Sequence, residues 1–238
     1  MKKGILWVMA SVMFAFGLAA CGSSGGSSAP APTNNTPVNS TNWNSPHGVG
    51  STWTYASSVS SGNSYTLTKI VTQSTSSSYE MKFFASNSTV YDLQTIRDDG
   101  NGLTMSEDDY YNKADNSLAY TMTYTPSMLI RPPDMTQGAS ASSTSTRSYL
   151  QNGVTSTGTY VRSIIVNGVE SVTVPAGTFS AVKITTDVTF TPSAGTPTGS
   201  TDIRWYVLDI GWVKRITYLA ASPANTKTDE LASYSVLP

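Results

Sequence analysis

The sequence predicts an all-β fold, a single curved antiparallel sheet (half-barrel or open barrel), on three observations. From Gly50 onward apolar residues recur with a period of two rather than 3.6. Turn signals rich in Gly, Asn, Asp and Pro arrive roughly every eight to fourteen residues. Only one stretch, Ser106–Ala114, offers even a candidate helix, with Glu107, Asp108 and Asp109 suited to its N-terminal turn.

Along the chain, Tyr65, Leu67, Lys69 and Val71 alternate with threonines and Ile70. Ser61-Gly62-Asn63, Asp98-Asp99-Gly100-Asn101-Gly102 and Asp115-Asn116 read as turns. Leu118, Tyr120, Met122 and Tyr124 share one face of a strand. Asn167-Gly168 predicts a two-residue hairpin joining Thr159–Val166 to Val169–Val174, because type I′ turns need positive φ at both central positions. Val174-Pro175-Ala176-Gly177 fits a second turn, with Pro at i+1 and Gly at i+3. Val182, Ile184, Thr186, Val188 and Phe190 then oppose Lys183, Thr185, Asp187 and Thr189, the pattern of a half-buried antiparallel strand. A loop over Thr191–Ser200 leads into Ile203–Leu208. Asp209-Ile210-Gly211 turns the chain into Trp212–Leu219, and Leu231–Leu237 is a candidate closing strand.

Three regions precede or make up this sheet. Lys2 and Lys3 followed by the uncharged run from Gly4 to Gly17 have the anatomy of a secretory signal peptide, slightly short for a membrane span. Leu18-Ala19-Ala20-Cys21 resembles the lipobox of bacterial lipoproteins. That resemblance implies a signal peptide over residues 1–20, cleavage before Cys21 and lipid on its thiol and new amine. Two or three acyl chains make a stable anchor where one is marginal. Residues 21–47 then form the lipidated cysteine and a flexible linker, whose 26 residues after Cys21 reach roughly 25–30 Å as a coil. The β domain spans residues 48–238.

Composition narrows the function. Removing residues 1–20 leaves 12 basic against 15 acidic side chains, so no basic surface is available for nucleic acid. Cys21 is the single cysteine, which excludes an intramolecular disulfide. His47 is the single histidine and sits in the linker, which removes histidine triads and multi-histidine zinc sites. The acidic turn at Asp98-Asp99 invites a calcium reading, but it lacks the spacing of an EF-hand loop, and a hairpin tip is the better account. Asp92, Glu170, Asp187 and Asp202 are available as paired carboxylates for glycoside hydrolysis. Solvated surface is the expected role of most acids here. No enzyme activity, cofactor or metal is expected.

Three motifs carry a wider resemblance: Gly50-Ser51-Thr52-Trp53-Thr54-Tyr55, Val174-Pro175-Ala176-Gly177-Thr178-Phe179 with the strand through Ile184, and Trp205-Tyr206-Val207 followed by Ile210-Gly211-Trp212-Val213-Lys214. Together they resemble uncharacterised periplasmic lipoproteins with a half-barrel similar to that of the lipoprotein-localisation carriers. The resemblance implies a concave face that holds a lipid or other apolar molecule. A concave apolar face with scant helical cover is also where an apolar cavity is expected. Trp205, Trp212, Tyr120 and Met122 are the candidate lining residues, because large amphipathic rings suit a boundary between cavity and water. The alternative is a structural or adaptor lipoprotein that contacts another envelope protein. The expected location is the cell envelope. In a Gram-negative cell it is the outer membrane facing the periplasm, since Gly22-Ser23-Ser24 lacks the retention aspartate known in some bacteria.

Overall fold

The computed structural model describes residues 48–98, 101–219 and 222–237. The expected signal peptide, Cys21, the expected linker with His47, and Asp99 of the acidic turn lie outside the described residues. Twelve strands follow one another: β1 (Thr52–Val59), β2 (Ser64–Ser74), β3 (Ser78–Ala85), β4 (Val90–Asp98), β5 (Leu103–Asn112) and β6 (Leu118–Arg131). Then come β7 (Ser140–Gln151), β8 (Val154–Val174), β9 (Gly177–Pro192), β10 (Thr198–Val207), β11 (Gly211–Leu219) and β12 (Ser222–Ser235). Each strand pairs antiparallel with its neighbours in sequence, and β1 pairs with β12, so the meander closes into a barrel. Closure leaves neither terminal strand with a free edge.

The all-β, single antiparallel sheet expected from the sequence is the one observed, and its curvature runs to full closure through β12. It begins nine residues before Leu231, and it runs beside β11 from Lys214↔Glu230 and beside β1 from Thr52↔Ser235 to Val59↔Lys227. Its Lys, Thr, Asp and Glu content hides it from a hydrophobic pattern, because Lys227 and Asp229, ahead of the buried Leu231, take inward positions.

Two local expectations are corrected. Ser106–Ala114 is not helical: Leu103–Asn112 is β5, paired with β4 on one side and β6 on the other. Its acidic triplet alternates across the sheet, and Asp108 is buried. Asn167-Gly168 is not a hairpin but a bulge inside the 21-residue β8. Val166 faces Ile184 and Gly168 faces Lys183, which leaves Asn167 as the extra residue. Gly168 has φ +116°, the positive value expected at this position, and the Asn167 side chain accepts a hydrogen bond from Thr185 Oγ1 at 2.7 Å. The hairpin that the chain does make here is at Val174-Pro175-Ala176-Gly177, as expected, with Val174 opposite Gly177. Its tip returns to β12, where Ala176 N donates to Leu231 O and Phe179 meets Tyr234 edge-on.

Inward alternation builds the core. Trp53 and Tyr55 of β1, Val71 of β2, Ile164 and Val166 of β8, and Val182 and Ile184 of β9 are all buried. Trp53 donates its indole N–H to Ile210 O at 2.7 Å, and Tyr55 donates its hydroxyl to Trp212 O at 2.9 Å. The Tyr55 and Trp212 rings stack 3.9 Å apart. These bonds tie the first strand to the β10–β11 turn, and each buried polar tip has its partner. Outward positions are hydroxyl-rich: Ser140, Ser142, Thr144 and Thr146 on β7, and Thr178, Ser180 and Thr189 on β9, are exposed.

Candidate functional site

The barrel encloses a cavity of about 410 Å³. Strands β2 to β6 supply its apolar lining through Leu67, Met81, Ile96, Leu103, Met105 and Met128. Those positions follow from the strand period: Tyr79, Met81 and Phe83 alternate on β3, and Met105 sits opposite Met128 across β5 and β6. The same strands also present Asp92 and Asp108. Strands β8, β10 and β11 supply guanidinium groups: Arg162, Arg204 and Arg215. In the ring of twelve, β10 is six strands from β4, so the arginines and the Asp92–Ile96 segment face each other across the lumen.

Asp202 organises the arginine wall. Its carboxylate accepts from Arg204 at 2.6 and 2.8 Å and from Arg215 Nε at 2.8 Å, with Thr217 Oγ1 at 3.3 Å. Burial alone would raise the Asp202 carboxyl, but Arg204 and Arg215 more than offset it and hold it well below the usual range. Arg162 stands apart. It is 4% exposed, and among the described residues it makes no hydrogen bond or ion pair; its Nε is buried without a partner. Burial, with Arg204 nearby, lowers its proton affinity.

The acid pair has the opposite character. Burial and the neighbouring Asp92 raise the Asp108 carboxyl, which accepts from Tyr110 Oη at 3.0 Å and leaves Oδ1 unpartnered. Asp92 is raised by burial and accepts from Gln94 Nε2 at 3.0 Å. Lys69 lies between the two kinds of lining. Its Nζ is 4.6 Å from the Trp53 and Trp212 ring centroids and 5.2 Å from that of Tyr55. Burial first, and then Arg204, push its amine well below the ordinary lysine range. The three ring faces favour the charged ammonium and so oppose that shift.

Of the four residues expected to line a cavity, the structure places Trp212 on it. Trp205 alternates with the lining residues Arg204 and Tyr206 and points away, donating its indole N–H to Glu170 Oε1 at 2.6 Å between Lys183 and Lys214. Tyr120 stacks on the lining residue Tyr110 at 4.2 Å, and Met122 packs on the core with its sulfur 3.9 Å from the Tyr124 hydroxyl. Of the four acids considered for hydrolysis, Asp92 and Asp202 line the cavity. Glu170 and Asp187 do not, and Asp187 is exposed and bonded to Thr201. The expected solvated role fails for Asp108, Asp202 and Asp229, which are 5%, 5% and 0% exposed. At the acidic turn, the Asp98 carboxylate is engaged by Arg131 at 3.2 Å, and among the described residues no cluster of three metal-ligating side chains occurs.

A family model for DUF3108-like domains matches residues 49–237, which is the whole barrel. The chain belongs to the DUF3108-like family. No curated protein matches it. Among solved structures it is similar to a protein of Bacteroides fragilis named as exported with a YmcC-like fold. That match has 17% identity and a TM-score of 0.51, and covers 80% of this chain and 98% of that one. A lipoprotein so named from Parabacteroides distasonis matches at 13% identity and a TM-score of 0.38, over 80% of this chain and 97% of that one. The hypothetical lipoprotein YmcC from Escherichia coli matches at 10% identity and a TM-score of 0.43, over 80% and 88%. The Bacteroides fragilis likeness shows a shared fold for this DUF3108-like domain.

Proposed function

We propose that this DUF3108-like chain is an envelope lipoprotein, held to a membrane through lipid on Cys21, whose barrel binds an apolar or amphipathic molecule. The observation that carries this reading is the cavity of about 410 Å³, whose wall on β2 to β6 sets Leu67, Met81, Ile96, Leu103, Met105 and Met128 beside Asp92 and Asp108. Twelve strands make a lumen wider than the side chains of an eight-stranded barrel can fill, which leaves room for a ligand. Supporting it are the lipobox Leu18-Ala19-Ala20-Cys21 and a hydroxyl-rich exterior suited to an aqueous compartment. No step of covalent chemistry is part of this reading, and the cavity acids and bases are wall groups.

Two measurements test it. Native mass spectrometry of the chain extracted without detergent is expected to show a co-purifying lipid or amphiphile at one per barrel. Recovery of ligand-free mass alone would favour the adaptor role. Cys21→Ser is expected to abolish labelling by a fatty-acid analogue and release the protein from membranes. Labelling that survives the substitution would remove the anchor from the reading.

A further inference from the structure

The cavity wall also indicates what kind of head group its ligand carries. Arg162 belongs to β8, in step with the buried Ile164 and Val166, so its side chain enters the lumen. An arginine cannot escape burial by giving up its proton, as a lysine can. A guanidinium out of water therefore needs anions or acceptors around it. Arg162 has neither an ion pair nor a hydrogen bond among the described residues. The nearest acid in its wall is committed elsewhere, since Asp202 is gripped by both Arg204 and Arg215 at 2.6 to 2.8 Å. That wall thus sets three guanidinium groups against one carboxylate. Across the lumen, Asp92 and Asp108 are bonded to Gln94 and Tyr110 rather than to Arg162. A negative charge placed at Arg162 would give each of the three guanidinium groups an anionic partner, Asp202 already serving the other two.

We propose that Arg162, with Arg204 beside it, seats an anionic head group, a carboxylate or a phosphate, of an amphiphile whose tail lies on the wall formed by Met81, Ile96, Met105 and Met128. This rests on the reading of the barrel as an apolar-ligand protein and adds the polar end of the ligand. Planar guanidinium groups suit both oxyanions, because each takes two parallel N–H donors.

The test uses the full chain in a neutral fluorinated surfactant, whose tails do not mix with hydrocarbon chains. Octanoate, octyl phosphate and octanol are titrated by calorimetry against a surfactant blank. The wild-type protein is expected to bind at least one of the two anions about ten- to hundredfold more tightly than octanol, the range of a charged hydrogen-bond pair. The tighter of the two anions identifies the head group. Arg162→Met is expected to erase that advantage and leave octanol binding unchanged. Its thermal midpoint without ligand is expected to equal or exceed that of the wild type, because a buried unpaired cation is gone. Arg162→Lys should retain part of the preference. Equal binding of all three probes, or a preference that survives Arg162→Met, overturns the anion seat and leaves the apolar cavity standing. Loss of folding in both Arg162→Met and Arg162→Gln makes Arg162 structural, and also overturns it. No binding of any probe overturns the binding reading itself.

Discussion

A buried carboxyl with no cation bonded to it keeps its proton to a higher pH, and Asp108 is that residue here. Its folded value is pushed up to about 8, by burial first and by Asp92 second. In the unfolded chain it ionises near pH 4. Between about pH 4 and about pH 8 the barrel holds a proton that the unfolded chain has released, so unfolding free energy falls as pH rises. The fall is at most about 1.4 kcal/mol per pH unit for a full proton, and it levels off above the folded value. Asp202 works in the other direction and in another window: its lowered value adds stability above the ordinary carboxylate range, which is lost only in acid. Asp108→Asn mimics the protonated acid and keeps an acceptor for Tyr110. Its stability relative to wild type should therefore climb from about pH 5 to about pH 8 in urea unfolding. An unchanged difference at the two pH values would mean that Asp108 is ionised in the barrel. These residues were only partly legible in the sequence. Lys69 in step with Leu67 and Val71, and Arg162 in step with Ile164 and Val166, are charges on apolar faces, and that mismatch is the available signal. What each of these cations faces depends on strands far apart in the chain, and the pattern of one strand does not carry it.

Individual strands were more legible than the joints between them. The alternation at Tyr65–Val71, Leu118–Tyr124 and Val182–Phe190 corresponds to β2, β6 and β9, and the Asp209-Ile210-Gly211 turn falls between β10 and β11. Asn-Gly at 167–168 misled because a hairpin turn and a bulge ask for the same backbone freedom. What separates them is the partner strand: β9 continues past the dipeptide in register on both sides. The bulge gives a sharp prediction. A Cβ on Gly168 would lie 2.9 Å from Gln137 Cδ at a φ of +116°. Gln137 can swing aside, but the backbone strain stays. Gly168→Ala is therefore expected to destabilise the barrel by about 1–3 kcal/mol in urea unfolding, the usual cost of a residue held in a disfavoured region. Gly153, at φ +75° near the left-handed region that other residues can adopt, has open space around its Cβ position, so Gly153→Ala should cost less. Equal costs at the two sites would mean that the Gly168 backbone is no more strained than an ordinary left-handed turn.

At the scale of the whole molecule, the decisive feature is the seam between β1 and β12, since it closes the sheet into a barrel and places the cavity inside it. The seam joins segments at opposite ends of the domain and is tied by side chains as well as backbone. Ser57 Oγ donates to Asp229 Oδ1 at 2.6 Å, and Ser51 Oγ accepts from Leu237 N at 2.9 Å. Asp229 is fully buried, with Lys227 Nζ 3.4 Å from its other oxygen. Such a pair is a poor guide from sequence, because an acid in a polar strand reads as surface. Amide hydrogen exchange tests closure directly. In an antiparallel strand, alternate N–H groups point to alternate neighbours. If β1 were an edge, the amides facing away from β2 would exchange as fast as those of a loop. In the closed barrel both sets in Thr52–Val59 have carbonyl partners, on β2 and on β12, apart from the single irregularity at Thr54/Tyr55. Protection should therefore be continuous along β1 and along the facing part of β12, at the level of interior strands such as β9. Fast exchange at every second residue of β1 would mean that the seam opens in solution. The arginine wall on β8, β10 and β11 would then line an open groove, and a ligand would enter from the side of the barrel rather than through an end.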